Sequence, residues 1–505
     1  MSALSVELER AEQPVGSGSG HPSTVGVRVL TALLVLVLAL LGLALGRGIG
    51  IVGTALGPLP LLLVPLLAGG LLLGLRRPVL AVAAVPLLVL VGLRPVAGGA
   101  RVVHLLVLFA VGCALVGARR PRLRARPPAA LVWSLVLVLV ALASTAVSEG
   151  VATALRADLT LLLGIALAWV CVSQCREGRD LAVLLRCFAV GTLVVGVPAL
   201  AQVGALQGYY GGTIVEGRLT ASFAEPNEFG SYSVTAFWMC CALVAASRTR
   251  LDRLLGGAGA LVSVTAMLFS LSRGSWLGLV VGAAGLVLLH PPAWRRVVGL
   301  AALATVVLAL LVVASPFSQT DVITQRLSTV VNGAPNPDDR RDLIRAEAVR
   351  LISTAPLLGH GPGSFVVEAS RADSVLASYR RQHAHNILLQ TGVELGVVGV
   401  VVLLALTASV ARSALRSTAA LRRARRLRDA VVLALLGSAC VSLAAHGLID
   451  VTFQNPLIMV LDWLVLGVVL SALRLAALPG TTGTPGTPAA VPRPETAAHP
   501  VVLAA

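Results

Sequence analysis

Apolar runs of about 17–25 residues recur along almost the whole chain, separated by short polar breaks. About 20 residues in a helix cross a hydrocarbon core of about 30 Å, so runs of this length predict transmembrane helices. They fall roughly at 29–46, 54–75, 78–93, 102–118, 129–147, 159–174, 181–206, 229–247, 254–271, 275–290, 297–315, 392–411, 429–449 and 457–475. Gly and Pro interrupt the first four, which softens their boundaries. The pattern therefore predicts an all-α, polytopic integral membrane bundle of about 12–14 transmembrane helices.

One interruption is long. Residues 316–391 predict a large loop, and the apolar periodicity from Arg341 to Ile352 predicts an amphipathic helix in it that lies along the membrane face. Pro356 ends that helix, and Gly359, Gly361 and Gly363 turn the chain. The expected organisation is a polar N-terminal tail (1–27), helices with short loops (28–315), the large loop (316–391), C-terminal helices (392–476) and a Pro/Gly/Thr/Ala-rich disordered tail (477–505). The first 27 residues are polar and contain acids, which excludes a signal peptide and makes the first run a retained helix.

Composition agrees with this reading. Of 505 residues 57% are hydrophobic and 12% charged, about half the charged fraction of a soluble domain. The net charge is +17, and every basic residue in the Lys+Arg count is arginine. Nucleic-acid binding would need those charges on one soluble face with aromatics between them. They cluster instead in short loops, at 119–126, 248–253 and 422–428. By the positive-inside rule all three are cytoplasmic, and alternating the helices from any one of them puts the other two on the same side. Both termini then fall inside, and the loops at 207–228 and 316–391, with the breaks at Arg273 and Asp450, fall outside the plasma membrane. The seven cysteines lie in or beside apolar runs and are expected to be buried small hydrophobes.

The outer breaks hold the polar residues that suggest chemistry. Arg218 lies in GRLTASFAEPNEFG, ahead of Pro226-Asn227-Glu228, and Arg273 lies in LSRGSWLG with almost no loop around it. A charge so close to hydrocarbon costs about 2.5–3.5 kcal/mol at a helix centre and is normally kept for a partner, snorkelling being the alternative. Arg341 and Arg345 sit one turn apart on the amphipathic helix, where a solvated surface charge is the alternative reading. His383, His385 and Asn386 close the loop. Arginine forks bind phosphate oxygens at any physiological pH, and a neutral imidazole takes a proton from a hydroxyl. That combination suits attack by an acceptor hydroxyl on a sugar carbon whose leaving group is a phosphate ester. No metal-ligand cluster and no nucleotide-binding fingerprint are read from the spacing.

These residues resemble the signature of the O-antigen ligase and polymerase superfamily of bacterial membrane glycosyltransferases. His385-Asn386, nine residues and Gly396-x-x-Gly399 resemble its His-Asn…Gly-x-x-Gly motif. Arg341 ahead of PLLGHGPGSF, Arg273 in SRGS, and Arg218 with Pro226-Asn227 follow the family's order, and His446 and Asp450 in HGLID also resemble it. The resemblance covers roughly residues 200–475. It implies transfer of a glycan from an undecaprenyl-pyrophosphate carrier to a glycan or other envelope acceptor outside the cytoplasm, in the setting of the lipid bilayer and with other polysaccharide-assembly proteins as possible partners. His385 is then the general base; Arg273, Arg341 and Arg218 hold the pyrophosphate; and Asn386, His383, Asn227, His446 and Asp450 support them. Direct displacement would invert the anomeric centre, without ATP, cofactor or obligatory metal. Ligase and polymerase readings share this donor and differ in acceptor. The reading from another class is a transporter or flippase of lipid-linked oligosaccharide, favoured by Asp462 in the last apolar run; the absence of further midplane acids weighs against it.

Overall fold

The computed structural model describes residues 69–92, 101–117, 128–201, 207–210, 213–216, 218–295, 299, 341–371, 374–376, 383–450 and 454–478. The N-terminal tail, residues 479–505, the apolar run at 29–46, all of the run at 297–315 except Gly299, the arginine cluster at 119–126 and the first part of the large loop lie outside the described residues. Eight described helices are long and apolar enough to span a membrane. They are α3 (Ala129–Ala146), α4 (Val151–Gln174), α5 (Gly178–Ala201), α6 (Pro226–Ala246), α7 (Arg250–Phe269), α10 (Ile387–Arg423), α11 (Leu427–Gly447) and α12 (Pro456–Ala476). Three shorter apolar helices join them: α1 (Pro78–Leu87), α2 (Val102–Gly117) and α8 (Arg273–Leu289). The chain is a multi-pass helical membrane protein.

One small exception to the all-helical expectation is an antiparallel hairpin, β1 (Gln207–Tyr210) with β2 (Thr213–Glu216), in register Gln207 to Glu216 and Tyr210 to Thr213. Two glycines between short runs rich in Tyr, Thr, Ile and Val carry the sequence signal for it.

Helices α6, α11 and α12 are the most buried and form the centre of the bundle, with α6 packed on α7 and α11, α11 on α8, and α12 on α4. Small residues allow the closest of these approaches. A Cβ on Gly278 of α8 would lie 2.9 Å from the Ser442 carbonyl of α11, and Trp238 of α6 donates to Ser442 Oγ at 2.7 Å. Without a hydrophobic drive between helices inside lipid, such close contacts and interhelical hydrogen bonds hold the bundle together.

Helices α6 and α11 run in opposite directions between the same two ends. At one end Asn227 of α6 meets Asp450, just past α11. At the other, Arg428 of α11 donates to the last carbonyls of α6, at 3.0 Å to Ala245 and 2.7 Å to Ala246. The arginine loops at 248–253 and 422–428 thus share one end, and the histidines occupy the opposite one.

The amphipathic helix is present as α9 (Arg341–Thr354). Its buried face, Ile344, Ala348 and Leu351, packs with Phe365, Leu376, Ala384 and Val393 into a second, smaller core above the start of α10. Helix α10 is longer than its apolar run, because it begins at Ile387 and continues through a polar stretch to Arg423.

Candidate active site

Helix α10 is interrupted one residue short of three turns from its start. Gly396 has φ 66 and ψ −171, so the hydrogen-bond ladder opens there. The glycine-rich loop fills the gap with its own backbone. His360 N–H donates to Val393 O (2.8 Å) and Gly361 N–H to Glu394 O (3.0 Å), while Val397 N–H donates to Pro356 O (2.8 Å). Side chains have no room at this crossing: a Cβ on Gly359, itself at φ 69, would lie 2.5 Å from the Glu394 carbonyl carbon, and one on Gly396 2.1 Å from Leu357 O. Ser144 of α3 fastens the crossing by donating to Leu358 O (2.5 Å) or Glu394 O (2.7 Å). The Pro-x-x-Gly-x-Gly and Gly-x-x-Gly stretches are therefore two halves of one backbone joint, and their glycines do structural work rather than chemistry.

That joint fixes the start of α10, and with it the histidines. Asn386 is the helix N-cap: its side-chain oxygen accepts from Leu388 and Leu389 N–H (2.9 and 3.1 Å), and its amide donates to Leu448 O (2.9 Å) just past α11. Gln390 Oε1 accepts from Ala384 N–H (2.8 Å), holding the residue between the histidines. His385 lies at φ 47, a left-handed conformation uncommon for a residue with a side chain and found often at functional sites. The two rings stand 4.1 Å apart, centroid to centroid.

Both rings end on one carboxylate. His385 Nδ1 is 2.8 Å and His383 Nε2 3.2 Å from Asp450 Oδ1. The other oxygen, Oδ2, accepts from Asn227 Nδ2 and lies 3.9 Å from the Arg341 guanidinium. Asn227 Oδ1 accepts from Arg218 (2.7 Å), which also donates to Ser270 O (3.1 Å). Asp450 is 3% exposed, so this charge is held by protein groups rather than by water. Burial raises its pKa, but the hydrogen bonds from His383 and His385 outweigh burial and hold the carboxyl well below the usual range. For His383 burial lowers the pKa, yet Asp450, with Glu225 and Glu228 farther off, raises it overall.

The residues expected from the sequence divide accordingly. Arg218, Asn227, Arg341, His383, His385 and Asp450 converge, and Asn386 braces them. Arg273 opens α8 beside this network: Gly274 packs on the His446 ring, where a Cβ would come within 3.0 Å of Cδ2, and Ser270 is the carbonyl that Arg218 holds. His446 is fully buried in α11, one turn before Asp450, whose N–H donates to the His446 carbonyl (2.9 Å). Arg345 instead pairs at the surface with Asp342 (3.3 Å), as a solvated charge does.

Two findings go beyond the sequence. His383, expected among the supporting residues, meets the same Asp450 oxygen as His385, at the longer distance of 3.2 Å against 2.8 Å. The sequence spacing also shows no metal-ligand grouping, whereas nitrogens of both histidines and an Asp450 oxygen lie within 4.8 Å of one another, close enough for one ion. The hydrogen-bonded reading fits the surroundings better, since both Asp450 oxygens already have donors and a guanidinium stands against the second.

Residues not singled out beforehand brace the network. Glu228 accepts from Ala224 and Glu225 N–H (3.1 and 3.3 Å) and from Asn455 (2.8 Å), the N-cap of α12, tying the starts of α6 and α12 together. An Asn directly before a proline and an apolar run is the cap signal that marks Asn455. No curated relative matches the chain. The family described as O-Antigen ligase does match, over residues 258–404, a segment that takes in Arg273, Arg341, both histidines and the backbone joint. Residues 258–404 are thus similar to an O-antigen ligase domain, which supports the resemblance to the O-antigen ligase/polymerase superfamily.

Proposed function

We propose that the protein transfers a glycan from an undecaprenyl-pyrophosphate carrier to an acceptor hydroxyl at the extracytoplasmic face of the plasma membrane. The observation that carries this reading is the convergence of two histidines and Arg341 on the buried carboxylate of Asp450, with Arg218 and Arg273 beside it. With Asp450 ionised, the 2.8 Å contact puts a proton on His385 Nδ1 and leaves Nε2 with a lone pair. His383 turns its Nε2 to the same carboxylate oxygen, whereas His385 Nε2 makes no hydrogen bond among the described residues and is the nitrogen left for the acceptor.

As the acceptor oxygen bonds to the anomeric carbon, its proton passes to His385 Nε2. The bond from that carbon to the phosphate oxygen breaks, and its electron pair stays on the pyrophosphate. Arg273 and Arg341 stabilise that charge, with Arg218 as a third candidate. Attack opposite the leaving group inverts the anomeric centre. Asp450 positions His385 and balances the imidazolium that forms. A ligase passes the glycan to a different molecule and a polymerase to another repeat unit; the donor half of the site serves both.

The test is turnover of carrier-linked substrate by purified protein, with and without a chelator, at matched expression. His385→Ala is expected to lose about a hundredfold to ten-thousandfold. His383→Ala is expected to lose less, since it acts through Asp450. Near-normal turnover in both variants would remove the catalytic role, and chelator-sensitive turnover restored by one divalent metal would replace the hydrogen-bonded cluster with a metal site. Sidedness is tested separately. In a background without native cysteines, Cys at Asp342 or Ser370, both exposed, should react with an impermeant thiol reagent in intact cells, and Cys at Arg250 only after lysis. The reverse pattern overturns the extracytoplasmic placement.

A further inference from the structure

At the end of the bundle away from the histidines, the ends of α5, α6, α7, α11 and α12 leave a cavity of about 950 Å3. Its inner wall is apolar, with Leu243, Val432, Leu433 and Leu475. Its rim is basic: six arginines line it against three acids. Each acid is already engaged. Arg186 forks onto Asp252 at 2.6 and 2.8 Å, Arg426 holds Asp429 at 2.9 Å, and Arg179 holds Glu177 at 2.7 Å. Arg428 is occupied with the carbonyls that end α6. Two guanidiniums are left, Arg248 and Arg425, which have neither ion pair nor side-chain hydrogen bond among the described residues.

Arg425 is also held in an unexpected backbone state. It lies at φ 56 in the turn between α10 and α11, closed by Arg426 N–H on Leu421 O (2.9 Å) and Arg425 N–H on Arg422 O (3.0 Å). This is the left-handed position after a helix that glycine normally fills. The chain has 50 glycines and puts an arginine there. The positive-inside rule accounts for arginine near a membrane face. It does not account for two unpaired guanidiniums on one cavity with an apolar wall.

We propose that this cavity binds the phosphate headgroup of an anionic membrane phospholipid. Arg248 and Arg425 hold the phosphate oxygens, and the apolar wall takes the upper part of the acyl chains. Basic pockets between the ends of spanning helices are suited to such headgroups. The apolar wall favours a lipid over free phosphate, which gains nothing from it. The site is separate from the glycan chemistry, because the 21 residues of α6 put about 30 Å between the two ends.

The experiment uses purified full-length protein in nanodiscs of phosphatidylcholine, with or without phosphatidylglycerol, read by thermal unfolding and by native mass spectrometry. Phosphatidylglycerol is expected to raise Tm by about 3 °C and to remain bound. The double variant R248A/R425A is expected to lose most of that shift and the bound lipid. R250A/R422A, from the same two loops but outside the cavity, should keep both. If R248A/R425A does not accumulate, Arg425→Gly supplies the test, since glycine suits φ 56; it should be at least as stable in phosphatidylcholine and still show a smaller phosphatidylglycerol shift. An equal shift and equal retention in wild type and the arginine variants would overturn the site. The full shift from millimolar inorganic phosphate in phosphatidylcholine discs would overturn the lipid as its ligand.

Discussion

At the end of the bundle that carries the histidines, Arg218 and Arg341 feed into a run of polar side chains that closes on Asp450. At the other end, Arg186 finishes on Asp252, Arg428 on the carbonyls that end α6, and Arg426 on Asp429 and the carbonyl that ends α12. The same residue type thus does two kinds of work. These contacts are separate and tie helix ends locally, so losing one should leave the others as they were. A network that converges on one buried charge behaves as a unit, so its members' substitutions should not add. The number of arginines does not separate the two ends; the number of groups that share one carboxylate does.

The sharpest way to break this comparison is to keep charge and remove the fork. Arg341→Lys and Arg273→Lys should each lower turnover about a hundredfold, because a lysine cannot hold two phosphate oxygens in a plane. Arg250→Lys at the other end should leave turnover unchanged. Full activity in both site variants at normal protein levels would put these arginines in the same class as their counterparts across the membrane.

Glycines give a second contrast, in stability. Gly396→Ala places a Cβ 2.1 Å from Leu357 O at a left-handed φ, and should destabilise by more than about 1 kcal/mol. Gly257→Ala, in α7 with nothing within 4 Å, should be neutral or stabilise by about 0.5 kcal/mol. Thermal unfolding in detergent measures both, and equal effects would deny the backbone joint its role.

The smallest effect concerns pH. The pKa of His383 is raised above the ordinary imidazole value of 6.5, so its contribution is complete below that value and is lost as pH rises through the folded-state pKa. Asp450 is shifted the other way, so its contribution is complete above the ordinary carboxylate value of 3.8 and is lost as pH falls through its lowered pKa. Stability should therefore be flat between these two ordinary values and then decline on the alkaline side, by about 2 °C in Tm. Asp450→Asn should remove that alkaline decline. An unchanged decline in Asp450→Asn would assign it to other groups.

Much of this was legible in the chain. Apolar run length predicts the spanning helices that are described, and the heptad-like spacing of Ile344, Ala348 and Leu351 predicts α9. Arg218, Arg341 and His385 stand out because polar residues are scarce at such boundaries. Two things were not legible, for one physical reason. The meeting of His383 with Asp450 is not legible because the carboxylate lies 67 residues on, beyond two spanning helices. The exchange of backbone hydrogen bonds between residues 356–361 and 393–398 leaves no trace except glycines, in a chain where glycine is common. Both depend on how distant segments meet, which periodicity does not encode.

The distance between His385 and Asp450 has a consequence for how the protein is made. The histidine leaves the ribosome 65 residues ahead of its carboxylate, and α10 and α11 must both be threaded into the bilayer before the two can meet. A chain stopped after α10 would contain the whole segment that matches the family and still lack the group that holds both imidazoles. If the proposed chemistry holds, biogenesis acts as a safety catch: nascent and prematurely ended chains lack Asp450 and should be inert until the C-terminal helices have been inserted.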